Sequence, residues 1–305
     1  MNSSNIKKAV IAIVLFACII LSASGYMEKT ASILGAEKVT EYNKKYLEDS
    51  FDKSLKGFLI LSGIKSGLAI IEGSEVGVGF NLEIGDIVQS VYDYVDIAWK
   101  AALTGGTIIL ATQLILQIVA LMNHWCLSLL FALIFGLYMF HLFAKTESRI
   151  VELFKSAIMF VSVFTIALYL ILPVSIRGAA FLSAKITNPL IEEAHNGFLS
   201  VKKELSADAL SNRLFPESEN LNESWVSKLN LNTHYKKIKI NLLKLGNYLK
   251  IQTGQIAVWT IKLITGYLFD CLLFPLLFFS LIYIFIKFTT LNILGMKPLN
   301  SLTRN

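Results

Sequence analysis

Residues 101–144 form an uncharged, overwhelmingly apolar run of more than forty positions, with Asn123 and His124 as a polar break near its middle. One bilayer crossing takes about 20 apolar residues, so a run of this length predicts two crossings. The break predicts a helical hairpin with a tight turn at Asn123-His124. The whole chain has the same bias: of 305 residues, 54% are hydrophobic and 16% charged, with a mean hydropathy of +0.59. Lipid is the expected solvent. The net charge of +6 resides largely in lysines that flank apolar runs, where they meet headgroups or set topology, so no nucleic-acid partner is expected.

Other spans follow by the same argument. Lys7 and Lys8 precede an apolar run at 9–21, and Ser22-Ala23-Ser24-Gly25 follows it. That pattern fits a short anchor or a secretory signal, and either one puts the N-terminus in the cytoplasm. Residues 156–176 and about 267–286 read as further spans, giving about five transmembrane helices. Residues 55–71 are apolar but interrupted by Lys56, Lys65 and glycines, so a re-entrant or interfacial helix is expected there. Counting that segment as a sixth crossing inverts the topology without changing the Lys and Arg tally near span ends, so the positive-inside rule leaves the orientation open.

Between the last two spans the apolar residues keep heptad spacing. Ile191, Ala194, Phe198, Val201 and Leu205 step by 3 and 4, as do Ile238, Leu242, Leu245, Leu249, Gln252, Ile256, Trp259 and Leu263. A polar break at 213–223 separates the two series. The pattern predicts an antiparallel helical-hairpin stalk on the order of 45 Å long, at 1.5 Å per residue. Two amphipathic helices lying on the membrane are the alternative. The chain therefore reads as an all-α polytopic membrane protein in five parts. These are an N-terminal anchor or signal segment (1–25), an extramembrane or interfacial helical region (26–100), a transmembrane hairpin plus a further span (101–176), the coiled-coil-like stalk (177–262), and a last span with a polar tail (263–305).

Candidate functional residues are few. In "IIEGSEVGVGF", Gly73, Gly77 and Gly79 permit close approach of segments, and Glu72 and Glu75 bring carboxylates to that contact. A ring of such segments would line a cation-selective path, whereas a glycine-rich turn with solvated glutamates is the plainer reading. Gly106, Gln113, Gln117 and His124 share one helix face, which suits either a pore lining or hydrogen bonds between helices. Asp270 is a candidate intramembrane charge, read as lying at headgroup level or as a relay. Cys18, Cys126 and Cys271 sit in apolar runs, and the four histidines are scattered. No catalytic constellation, metal-ligand spacing or nucleotide loop is present, so neither enzymatic activity nor a cofactor or metal is expected.

The stretches "YLEDSFDKSL", "LAIIEGSEVGVGF" and "IGDIVQSVYDYV" precede the hairpin, and "LPVSIRGAAFLSAKITNPLIEEA" and "LFPLLFFSLIYIF" follow it. Together they resemble a family of uncharacterised bacterial inner-membrane proteins over most of the chain. The resemblance implies the architecture and a bacterial envelope setting, and it brings no activity or residue roles. The expected function is a homo-oligomeric pore-like or structural membrane assembly. The alternative is a membrane-anchored scaffold or signalling partner that binds another protein through the heptad surface or charged tip of its stalk.

Overall fold

The computed structural model describes residues 3–26, 36–78, 82–143, 149–214 and 231–293. Among them the chain is helical almost throughout and contains no strand. The helices are α1 (Ser3–Ala23), α2 (Ala36–Val78), α3 (Leu82–Phe143), α4 (Arg149–Ile166), α5 (Leu172–Leu182), α6 (Asn188–Leu205), α7 (Ala207–Leu214), α8 (Leu231–Leu268) and α9 (Phe274–Ile293). Six described helical stretches are long and apolar enough to cross a membrane, which makes this a multi-pass membrane protein. The sixth lies in α2 and takes in residues 55–71. The polar break at 215–223, Gly79 and the tail beyond 293 lie outside the described residues.

The expected turn at Asn123-His124 is absent: α3 runs unbroken through both positions. Asn and His lower helix propensity only slightly, and neither Gly nor Pro stands between Leu121 and Cys126 to break the hydrogen-bond ladder. The N-terminal helix does end where small residues end it. Gly25 has φ 74°, and the Ser24 amide closes the last turn on the Ile20 carbonyl at 2.9 Å.

Among the described residues three π-helical turns, Ala167–Ile171, Ser183–Thr187 and Phe269–Leu273, widen otherwise continuous helix. Each ends two residues before a proline, Pro173, Pro189 or Pro275, and is centred four residues before it. Proline has no N–H for the carbonyl at that distance, and its ring crowds it, so the helix opens by one residue instead of breaking.

The chain forms two compact units. The first comprises residues 1–47, 110–181 and 274–305. Its helices touch at small or aromatic sites. Phe16 meets Phe135 with ring centroids 6.1 Å apart, and Tyr169 Oη donates to the Val119 carbonyl at 3.2 Å. Asn43 Nδ2 donates to the Pro173 carbonyl at 2.8 Å, and the Arg177 guanidinium lies 5.1 Å from the Tyr42 ring centre.

The second unit comprises residues 48–109 and 182–273. Here α6 and α8 pack antiparallel, with Phe198 against Trp259 and Glu193 paired to Lys262 at 2.6 Å, as the heptads predict. Two more helices complete the bundle. The C-terminal part of α2 buries Ser54, Gly57, Leu61, Ile64, Leu68 and Ile71, and the N-terminal part of α3 buries Val88, Val91, Val95, Ala98, Ala102, Gly105 and Ile109. Both series step by 3 and 4, so all four helices share the left-handed bundle repeat. Glycines set the closest approaches: a Cβ on Gly67 would overlap the Leu205 carbonyl, and one on Gly197 would overlap the Trp259 indole.

Candidate functional site

The four-helix core is interrupted by polar layers. In one of them each helix contributes a residue. Gly57 of α2 and Gly105 of α3 leave the space that His195 of α6 and Tyr267 of α8 fill. A Cβ on Gly57 would lie 2.5 Å from His195 Nε2, and one on Gly105 3.1 Å from the Tyr267 ring. His195 is 5% exposed, and its Nε2 lies 3.2 Å from Tyr267 Oη. The phenol has one proton to give. With that proton directed at the Lys53 carbonyl, 3.4 Å away, Nε2 is the donor to the phenol oxygen. Ser54 Oγ closes the layer by donating to the Ala102 carbonyl at 2.5 Å.

Towards the start of α2 and the end of α8 the next layer is lined by oxygen. Thr187 and Asp270, 1% and 5% exposed, meet between the π turns Ser183–Thr187 and Phe269–Leu273, with Thr187 Oγ1 3.3 Å from Asp270 Oδ1. The same hydroxyl lies 3.3 Å from the Ser183 carbonyl. Ser183 is fully buried, and its Oγ has no hydrogen-bond partner among the described residues. Gly266, one turn before Asp270, brings α8 close to the Thr187 carbonyl and to Ile191.

In the opposite direction α2 and α3 are clasped by charge. Lys65 Nζ lies 2.5 Å from Asp96 Oδ1, above the Trp99 ring at 4.5 Å and near the Tyr92 ring at 5.3 Å. Lys100 holds the other carboxylate oxygen at 2.7 Å, and Trp99 Nε1 donates to Ser62 Oγ at 2.8 Å. Charge-assisted bonds of this length exceed neutral ones in strength, so this clasp fixes the register of α2 on α3.

Several sequence candidates lie elsewhere. Glu72 is exposed at the end of the α2 heptad, directly after the buried Ile71. Gly73, Glu75 and Gly77 are helical, with no side-chain description. Gly106 packs on Ser54 in the bundle, where its Cβ would meet Oγ at 3.0 Å. Gln113 and Gln117 belong to the other unit; Gln113 is half-buried, and Gln117 is exposed among the exposed Leu114, Ile115, Ile118 and Leu121. His124 is helical within α3. Lys262, two turns before Asp270, is turned to Glu193, and Asp270 lies in the bundle core against Thr187.

Sequence reading missed His195, Tyr267, Thr187, Ser183 and the Lys65 clasp. Two signals carried them. A heptad read through Ser54 and Gly57 identifies α2 as a bundle helix, and a helix-interior proline marks the widened turn four residues before it. Among the described residues no three His, Cys, Asp or Glu side chains gather as a metal site, and the three cysteines are unpaired thiols. No family model, curated protein or solved structure matches the chain.

Proposed function

We propose that the protein is a homo-oligomeric, pore-like or structural assembly of the bacterial inner membrane, working in lipid through contacts between copies of the chain and without catalysis. The observation that carries this reading is Gln117. Its amide stands exposed on an apolar helix face, flanked by exposed leucines and isoleucines. A polar side chain facing hydrocarbon is costly, and residues of this kind turn to protein or water. A second copy of the same face supplies amide partners for Gln117 and half-buried Gln113. Glu72, exposed in the C-terminal part of α2, supports the acidic-ring form of the assembly.

The scaffold alternative loses one of its two surfaces. Heptad residues Ile191, Phe198, Val201, Leu205, Leu249, Ile256 and Leu263 are at most 1% exposed, so that face is already occupied within the chain. The tip between α7 and α8 is left to serve it.

Ion and small-solute flux from sealed liposomes carrying the purified protein tests the proposal, with Glu72→Gln, Glu75→Gln and Gln117→Leu run alongside. A pore predicts flux in the wild type, altered selectivity in the glutamate variants and loss of flux in Gln117→Leu. Tight liposomes with oligomeric protein would leave the structural form of the assembly. Tight liposomes with monomeric protein would overturn the proposal.

A further inference from the structure

We propose that the two opposed π turns, Ser183–Thr187 and Phe269–Leu273, form a binding site for a dehydrated monovalent cation, with the Asp270 carboxylate supplying the charge and Thr187 and Ser183 the neutral oxygens. This site is independent of the pore-like reading, because it lies wholly within the four-helix unit.

Chemistry selects the ligand. Thr187 Oγ1 lies 3.3 Å from Asp270 Oδ1 and 3.3 Å from the Ser183 carbonyl, which also accepts the Asn188 N–H, so one hydroxyl proton has to serve two acceptors at that distance. An oxygen cluster with more lone pairs than protons suits a hard cation. Ser183 is the second observation. Its hydroxyl is buried, lacks a partner among the described residues, and sits one turn before Thr187 on the same helix face. Buried hydroxyls are nearly always satisfied, so an orphan one turn from the threonine that holds a buried carboxylate points to a ligand.

The backbone adds acceptors. Pro189 gives no N–H to the Lys185 carbonyl and Pro275 none to the Cys271 carbonyl, so each π turn carries one oxygen freed from its α-helical donor. Interrupted helices whose backbone carbonyls are released from the α-helical ladder recur at the cation sites of membrane transporters. Charge argues for a monovalent ion. There is one carboxylate, and no group of three His, Cys, Asp or Glu among the described residues, whereas divalent cations draw on several carboxylates or retain their waters.

The test is binding of radioactive sodium to the full chain in lipid nanodiscs at constant ionic strength, with choline as the inert cation. The expected result is saturable binding of one Na⁺ per chain, displaced by unlabelled Na⁺ and untouched by choline. Asp270→Asn should abolish it, and Ser183→Ala, which removes one neutral ligand from a well-packed helix, should weaken it about tenfold. If Asp270→Asn does not fold, the Ser183→Ala affinity decides the matter alone. Infrared difference spectra supply a second readout: Na⁺ should remove any protonated-carboxyl band assigned to Asp270. Absence of saturable binding, binding unchanged in Ser183→Ala, or a carboxyl band that persists at saturating Na⁺ would overturn the proposal, the last by assigning the layer to a proton.

Discussion

In the stretch Lys38–Glu72, which feeds the four-helix unit, 44% of the most apolar window is buried within the chain; in Ile6–Ala23 and Trp125–Phe143, which belong to the other unit, the share is 6%. All three hold a window long and apolar enough to cross a membrane, although that of Lys38–Glu72 is the least apolar, with mean hydropathy 1.5 against 2.4 and 2.2. The spacing of their apolar residues differs too. Apolar residues that recur every 3 and 4 positions form a seam that other helices cover, so the bundle carries its own solvent-excluding core. Apolar residues on every side form no seam, and lipid covers them at no loss. Both units bury polar groups, but differently: the bundle sets the side chains of His195 and Tyr267, and of Thr187 and Asp270, against one another, whereas in the other unit Asn43 donates to the Pro173 carbonyl and Gln117 stands exposed on an apolar face.

The comparison breaks first at core size. Phe198 is fully buried in the bundle and Phe160 is 71% exposed in the other unit. Phe198→Ala should cost about 3–5 kcal/mol of unfolding free energy. Phe160→Ala should change it by less than about 0.5 kcal/mol. Denaturant unfolding in nanodiscs, followed by helical circular dichroism, reads both. Equal losses would mean that the lipid-facing assignment of the second unit is wrong.

Glycines sharpen the contrast at smaller scale. Gly67→Ala drives a methyl into the Leu205 backbone and should destabilise by about 1–3 kcal/mol. Nothing lies within 4 Å of the Cβ position at Gly254 on α8. There the same change only adds helix propensity and should stabilise by about 0.5–1 kcal/mol. Thermal melts of the two variants should therefore move in opposite directions.

The ionic clasp ranks next. Lys65 and Asp96 are about a fifth exposed, at 22% and 20%, so Lys65→Met should cost about 1–2 kcal/mol, between a buried charged bond and a surface pair. Lys100, 66% exposed on the same carboxylate, should contribute less than about 0.5 kcal/mol when changed to Met. A double-mutant cycle separates the two lysines.

The helical class, the multi-pass character and the pairing of α6 with α8 were legible in the sequence because Ile, Leu, Val and Phe mark their seams openly. The partnership of α2 and α3 in the bundle was not. At Ser50, Ser54 and Gly57, and again at Ala98, Ala102 and Gly105, their seams carry small or polar residues, and at Gly57 and Gly105 His195 and Tyr267 fill the space from neighbouring helices. Lys65 reads as an interruption until Asp96, thirty-one residues later, is brought against it. The turn expected at Asn123-His124 failed because polarity alone does not break a helix; a breaker residue is needed, and even Pro173, Pro189 and Pro275 widen their helices without ending them.

The central claim is that the exposed Gln117 face of α3 is covered by another copy of the chain. Photo-crosslinking in native-like membranes, with a benzophenone side chain in place of Gln117, tests it most directly. The account predicts an ultraviolet-dependent product of twice the protein's mass, absent when the same group replaces Phe160. Capture of lipid alone at both positions would contradict it.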